Sequence, residues 1–440
     1  MSCEVLCCEV GAMIDLLVEA RGGALLDQLF SVVTASAPVT NRLAGYFEKV
    51  LNVVFRRKSV SLMQYLDTKA QPLFCDFCRQ LHNHSIAQSL RLLLLPAVQL
   101  PRDESAVIGF QIDGTEPLRS SVLECSWHID PGILDMLLEQ LLTSSDHDVR
   151  AHTSELLISI IELSFSDSIY HRLIVSVGTI RRLSEASLTM KTCEGEATVD
   201  KTNDAFFTSI LSVLEVIVTQ FCDEQKLMAQ TLASALGDAS GNRIETDEQF
   251  RLPGGGMKEA LVDICPETML ALCAIVPRIC ANLQTTLPSE GTMACQLRIS
   301  LPRLGQIRLK VVNLLEALLR LQHRDIDGAV IENGALDLVL SLFFEHQWNS
   351  LLHQSVMAIC MMILESKEDH RAELQRNLVL DARLLERIMP VFRADEVTIF
   401  LSLNATYTSH FFADITHCAC IRIIRSTWEQ SVPVCSATPL

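Results

Sequence analysis

Three clusters in the chain carry residue types that can do chemistry. Asp146-His147-Asp148 with His152 sets carboxylates and imidazoles four apart on one helix face, a partial donor set for a hydrolytic metal. The competing reading is a helix start, in which Ser145 or Asp146 caps and the acids occupy the favourable first turn. The second reading is preferred, because no further His-Asp cluster stands at a ligand spacing. Cys75-x2-Cys78 with His82 and His84 has zinc-type donors, but structural zinc sites draw their pairs from two separated elements, and here one short helix and its turn carry all four. Gly254-Gly255-Gly256-Met257-Lys258 fails as a phosphate loop: no strand precedes it, and Lys258 is not followed by Ser or Thr. No Gly-x-Ser-x-Gly elbow or paired-glycine dinucleotide fingerprint occurs, and nothing sets a nucleophile beside a base. No catalytic, cofactor or metal residue is assigned.

The elements that carry these residues read as short helices joined by short turns. Pro38 to Asn41 forms a turn, with Asn41 as the expected cap. Leu43, Phe47, Val50, Leu51 and Val54 then share one face of a 3.6-residue period, and Arg56, Arg57 and Lys58 are expected to close that helix at its negative end. A short segment at Ser61–Leu66 follows. Further helices are expected over Pro72–Leu81, and over Ser85–Leu95 with Ser85 as cap and Pro96 as stop. The periodicity returns at Ile133–Leu142, Val149–Leu163 and Phe206–Phe221, with polar loops at about 97–127, 181–204 and 237–256. Thr268–Asn282 is helical, and Pro277 should kink or split it.

The strongest pattern lies at 303–366. Ile307, Val311, Leu314, Leu315 and Leu318 form one stripe while Val312 and Leu319 add apolar surface on another side, as in a helix sandwiched between neighbours. Leu336, Val339, Leu340 and Phe343 make the next stripe; Leu352, Val356, Ile359, Cys360 and Ile363 make a third after the turn at Trp348-Asn349. Helices recurring every 20 residues or so give pairs of about 40, the period of HEAT and armadillo-like stacks. The expected fold is therefore all-α, an α-solenoid with polar loop insertions.

Composition bounds the function. Of 440 residues 49% are apolar and 5% aromatic, which favours packed helices over a sandwich. A net charge of −17 argues against general nucleic-acid or anionic-membrane binding, since phosphate affinity comes from clustered Lys and Arg. The apolar runs at Leu92–Leu95, Met269–Val276 and Val356–Leu364 fall short of the roughly 18 residues of a membrane span. The N-terminus lacks the features of a secretory signal, and the 16 cysteines show no disulfide spacing, so they read as reduced thiols of the cytosol or nucleus. The sequon at Asn404 is read as chance.

A long helical stack without a reaction site points to a surface for other proteins. Charged and aromatic turn residues are where that surface should show: Arg56, Arg57 and Lys58 at one turn, Arg303 and Arg308 at the start of another helix, and His346, Trp348 and Asn349 at a third. Each has a structural alternative, namely dipole capping or solvation for the cations and a filled interhelical gap for Trp348.

Four segments also resemble a known family. Cys3–Val10, Asn41–Lys58, Arg308–Leu319 and Asp337–His353 are similar, in order, to the SAPS domain that defines regulatory subunits of serine/threonine-protein phosphatase 6 and their fungal counterparts. The resemblance brackets about residues 3–395. It implies a non-catalytic subunit that binds the phosphatase catalytic subunit, helps select its substrates and locations, and often joins an ankyrin-repeat third subunit. Catalysis would belong to the partner. Family members carry further helical sequence before the position of Cys3, so a partial chain is expected, and residues 396–440 read as a divergent tail with no assigned function. An adaptor for unrelated partners in trafficking or transport is the alternative.

Overall fold

The computed structural model describes residues 2–19, 23–95, 131–163, 174–188, 201–238, 266–284, 292–294 and 300–393. The expected loop at 97–127, that at 237–256 beyond its first two residues, the glycine run at 254–256, the tail from 396 and Asn404 lie outside them. The chain divides into two compact units, Met1–Gln220 and Phe221–Leu440.

The first unit is built from α1 (Ser2–Leu6), α2 (Gly11–Glu19), α3 (Ala24–Thr34), α4 (Asn41–Asp67), α5 (Ala70–Arg79), α6 (His84–Leu94), α7 (Pro131–Thr143), α8 (His147–Leu163) and α9 (Val177–Leu188). Their packing alternates. Helices α2, α4, α6 and α8 pack in succession, as do α3, α5 and α7, while chain neighbours such as α5 and α6 or α7 and α8 close the pairs. Two layers result, and each helix must hide more than one side, as the dense apolar sequences require. Phe30, Phe47 and Phe77, one each from α3, α4 and α5, meet with centroids 5.6 to 6.4 Å apart. All three are buried.

Side-chain ties repeat the period of the stack. Asn83 Nδ2 donates to Asn41 Oδ1 at 2.8 Å across 42 residues, and Arg182 reaches Glu139 across 43. Gln80 joins layers more firmly: its Oε1 accepts from Val39 N at 3.1 Å, and its Nε2 donates to the carbonyls of Ala35 and Ala37.

Helix α10 (Lys201–Asp238) runs past the boundary between the units. Its segment Phe206–Lys226 is long and apolar enough to cross a membrane by length and composition, which the shorter runs considered from sequence did not show. Ile210, Val213, Leu214, Ile217 and Val218 on it are fully buried in the protein.

The second unit continues with α11 (Pro266–Cys273), α12 (Val276–Gln284), a two-stranded antiparallel ribbon of β1 (Thr292–Ala294) and β2 (Ser300–Pro302), then α13 (Gln306–Arg320), α14 (Arg324–Glu332), α15 (Ala335–Glu345) and α16 (Ser350–Glu365). A 3₁₀ turn (Asp369–Arg371), α17 (Ala372–Arg376), a π turn (Asn377–Asp381) and α18 (Leu384–Arg393) complete it. The packing interval here is three, not two: α11 packs on α14, α12 on α15, α13 on α16 and α14 on α17. The all-α reading holds, with a three-helix repeat in place of the expected pairs. The short α14, a helical turn ending before Asn333-Gly334, is the added element. Long-range ties again span the period, as in Ser355 to Asn313 across 42 residues and Arg371 to Asp327 across 44.

Arg56, Arg57 and Lys58 close a helix as expected: α4 is two helices run together across a kink at Lys58, with φ −138° and ψ 46°, and the second continues to Asp67. Several other boundaries differ from expectation. Thr40, not Asn41, stands at the N-cap of α4, because Asn41 turns its side chain to Asn83. Asn83 in turn caps α6 by accepting from Ser85 N, displacing Ser85 from that role. The polar stretch from 181 begins as helix, since α9 extends to Leu188. Pro277 splits the expected helix into α11 and α12 and sits in the first turn of the second, where a missing N–H costs nothing.

Candidate functional site

The chemical clusters resolve into structural duties. Asp146 Oδ1 accepts from Asp148 N at 2.9 Å at the start of α8, the capping geometry. His147 and Asp148 are exposed, with His147 Nδ1 3.4 Å from Asp148 Oδ1. His152 faces elsewhere: its Nδ1 lies 2.8 Å from the Leu81 carbonyl and its ring 5.3 Å from that of His84, joining α8 to α6. Cys75 Sγ meets Met136 Sδ at 3.2 Å, while burial pushes the Cys78 thiol up to about 12. Among the described residues no three His, Cys, Asp or Glu side chains gather around one point.

The basic triplet is balanced within the chain. Arg56 and Arg57 both pair with Glu9, at 2.6 and 3.0 Å, and Lys58 pairs with Asp15 at 2.8 Å and Glu19 at 3.1 Å. Hydrogen bonds that Lys58 donates to those two carboxylates raise its pKa. The triplet thus holds α2 and the turn before it against the break in α4.

The other predicted residues do converge. A cavity of about 550 Å³ opens between the segment leading into α13 and the turn joining α15 to α16. Arg303, His346, Trp348 and Asn349 line it, together with the apolar Leu301, Pro302, Leu304, Leu309 and Leu351. Trp348 is 45% and Leu351 61% exposed. Arg308 is buried beside His346, just inside α13.

Local sequence explains the recess. Gly305, at φ 80°, turns the chain from β2 into α13, a conformation any side chain would strain. Having no side chain, it also leaves α13 without a side-chain cap. Asn349 caps α16 by accepting from Leu352 N at 3.0 Å, which fixes the opposite wall. His346 is 4% exposed, and its ring meets the Pro302 carbonyl, while Nε2 has no hydrogen-bond partner. Burial lowers its pKa, and the Arg308 guanidinium lowers it further, so His346 is neutral at pH 7. His353 lies behind it, its Nε2 3.2 Å from the Phe343 carbonyl and its ring 4.3 Å from that of Phe343. Sequence reasoning named every polar residue of this recess except Gln306, Glu345, Gln347 and Ser350; Gly305, between Arg303 and the first stripe, was the available signal for the bend.

Stacked helices with a half-open recess at a helix junction, and with charged clusters engaged in capping and pairing, define an all-α helical-repeat protein. Comparison with known proteins shows what the chain is similar to. Residues 325–411 match SAPS, described as SIT4 phosphatase-associated protein, and the match runs past residue 395, where the sequence resemblance was expected to stop. The chain is 23% identical over 429 residues to serine/threonine-protein phosphatase 6 regulatory subunit 3-A of Xenopus laevis, covering 90% of this chain and 43% of that protein. It is 23% identical over 426 residues to regulatory subunit 3 of Gallus gallus and 24% identical over 405 residues to human regulatory subunit 1, covering 90% and 88% of this chain and 42% and 41% of those proteins. The chain is thus similar to phosphatase 6 regulatory subunits along most of its length, and it spans less than half the length of those it matches.

Proposed function

We propose that this chain is a non-catalytic regulatory subunit or scaffold that binds a phosphatase 6-type serine/threonine phosphatase catalytic subunit and directs its substrate choice and location. The carrying observation is alignment with named regulatory subunits along 90% of the chain. The helical stack supports it, since stacked repeats offer broad surfaces rather than reaction centres. An ankyrin-repeat protein is the proposed third partner, and the proposed compartment is the cytosol or nucleus. Helix α10 is assigned to the protein core, with Ile210, Val213, Leu214, Ile217 and Val218 buried.

Co-purification tests this. The tagged chain, co-expressed with the phosphatase 6 catalytic subunit, should retain it through size exclusion at 150 mM salt. A well-folded chain that never retains it would sink the reading and leave the unrelated-adaptor alternative.

A further inference from the structure

The recess between residues 301–309 and 345–351 is too small to be the seat of a folded phosphatase. A stable interface between folded proteins buries about 1,200–2,000 Å². A cavity of about 550 Å³ is the size that takes a few side chains. Its walls combine the two ingredients of segment recognition. Trp348 and Leu351 are exposed apolar side chains facing Leu301, Pro302 and Leu304 across the opening. The polar end is electropositive. Arg303 is exposed on the wall, Arg308 is buried close behind, and the N-terminus of the 15-residue α13 carries no side-chain cap. Glu345 is the one carboxylate among the lining residues. His346, 4% exposed, adds a buried ring nitrogen with no protein partner at the same place.

We propose that this recess receives an extended acidic segment of a client protein, with an apolar side chain lodged between Trp348 and Leu304 and a neighbouring carboxylate held by Arg303 at the start of α13. Trp and Arg are the side chains that dominate such contacts, since each supplies large area or bidentate hydrogen bonds. The proposal deepens the regulatory-subunit reading by naming the chemistry of what is recruited, and it rests on that reading for its biological meaning. The catalytic subunit is assigned to a different surface.

The test is selection of a displayed library of random eight-residue peptides on the full chain, followed by fluorescence polarisation with the enriched consensus peptide. The expected consensus pairs an aromatic or leucine-type residue with Asp or Glu. Arg303→Glu and Trp348→Ala should each weaken the peptide about tenfold or more, the loss of 1.4 kcal/mol or more. Gln306→Glu places a negative charge in the first turn of α13, where it favours the helix; it should keep or raise the melting temperature while weakening the peptide, which separates binding from folding. No enrichment, a consensus lacking acidic residues, or undiminished, wild-type affinity in all three variants would overturn the proposal. In a second arm, saturating peptide is added to the chain bound to the catalytic subunit. The phosphatase should stay bound; its displacement would make the recess the phosphatase contact and overturn the client assignment. Failure of the chain to bind phosphatase at all leaves the peptide selection readable, so the two readings fail separately.

Discussion

Arg371 is wholly buried, and its charge is met by Asp327, with Nε and Nη2 donating to the two carboxylate oxygens at 3.0 and 3.1 Å. Nη2 also donates to the Leu319 carbonyl, so one side chain joins the end of α13, α14 and the 3₁₀ turn. Burial pushes the Asp327 carboxyl up, and the Arg371 guanidinium opposes that push. Breaking such a pair strands a buried charge, which costs more than the pair contributes. Asp327→Ala is therefore expected to lose about 3–5 kcal/mol in urea unfolding, and Asp327→Leu combined with Arg371→Met to lose clearly less than either single change. Equal losses for single and double variants would refute that account. His353 gives a pH signature at the same scale. Burial lowers its pKa from the ordinary 6.5, as it does for His346, so the unfolded chain binds protons more readily than the folded one. Stability should then be full above pH 6.5 and fall as the pH drops from there toward the depressed folded values, by at most about 1.4 kcal/mol per pH unit per histidine. His353→Gln should flatten part of that slope in urea midpoints measured between pH 5 and 7.5.

At the scale of elements, period and punctuation were legible where one helix buries a stripe and ends at a residue with no alternative. Pro277 divided α11 from α12, and the stripes from Ile307 and Leu352 emerged as α13 and α16 with those residues buried. The signal fell short where tertiary partners chose between local options. Arg56 to Lys58 do mark a helix end, at the kink, as cations suit one, but the sequence did not show what would pair with them. In the fold the same charges are taken by Glu9, Asp15 and Glu19 from another element, and α4 resumes after Lys58. Those pairs are largely exposed, so Asp15→Asn with Glu19→Gln should cost no more than about 1 kcal/mol in thermal or urea unfolding. The candidate site was half legible: Arg303, His346, Trp348 and Asn349 could be named as turn residues. Their meeting around one cavity could not, because β2 and the α15–α16 turn approach one another only through packing across the repeat.

For the molecule as a whole, the repeat gives ties that skip one or two helices and recur at about the same sequence separation, 42 residues for Asn41 to Asn83 and 44 for Asp327 to Arg371. In such stacks each helix depends on its immediate neighbours, so damage should travel only as far as the next layer. Gln80 is the place to test this in the first unit. Its amide, 5% exposed, serves Val39 N and the carbonyls of Ala35 and Ala37, which fixes the whole connection from α3 to α4. Gln80→Ala removes all three bonds and leaves the buried Val39 amide without its acceptor, a loss of about 2–3 kcal/mol. Hydrogen exchange should rise at the end of α3, through residues 35–40 and along the first turns of α4, while the middle of α8, which packs on α6 and α7, keeps its protection. A uniform rise across α3 to α8 would instead mean that the unit opens as one cooperative block, and the nearest-neighbour description of the stack would have to be abandoned.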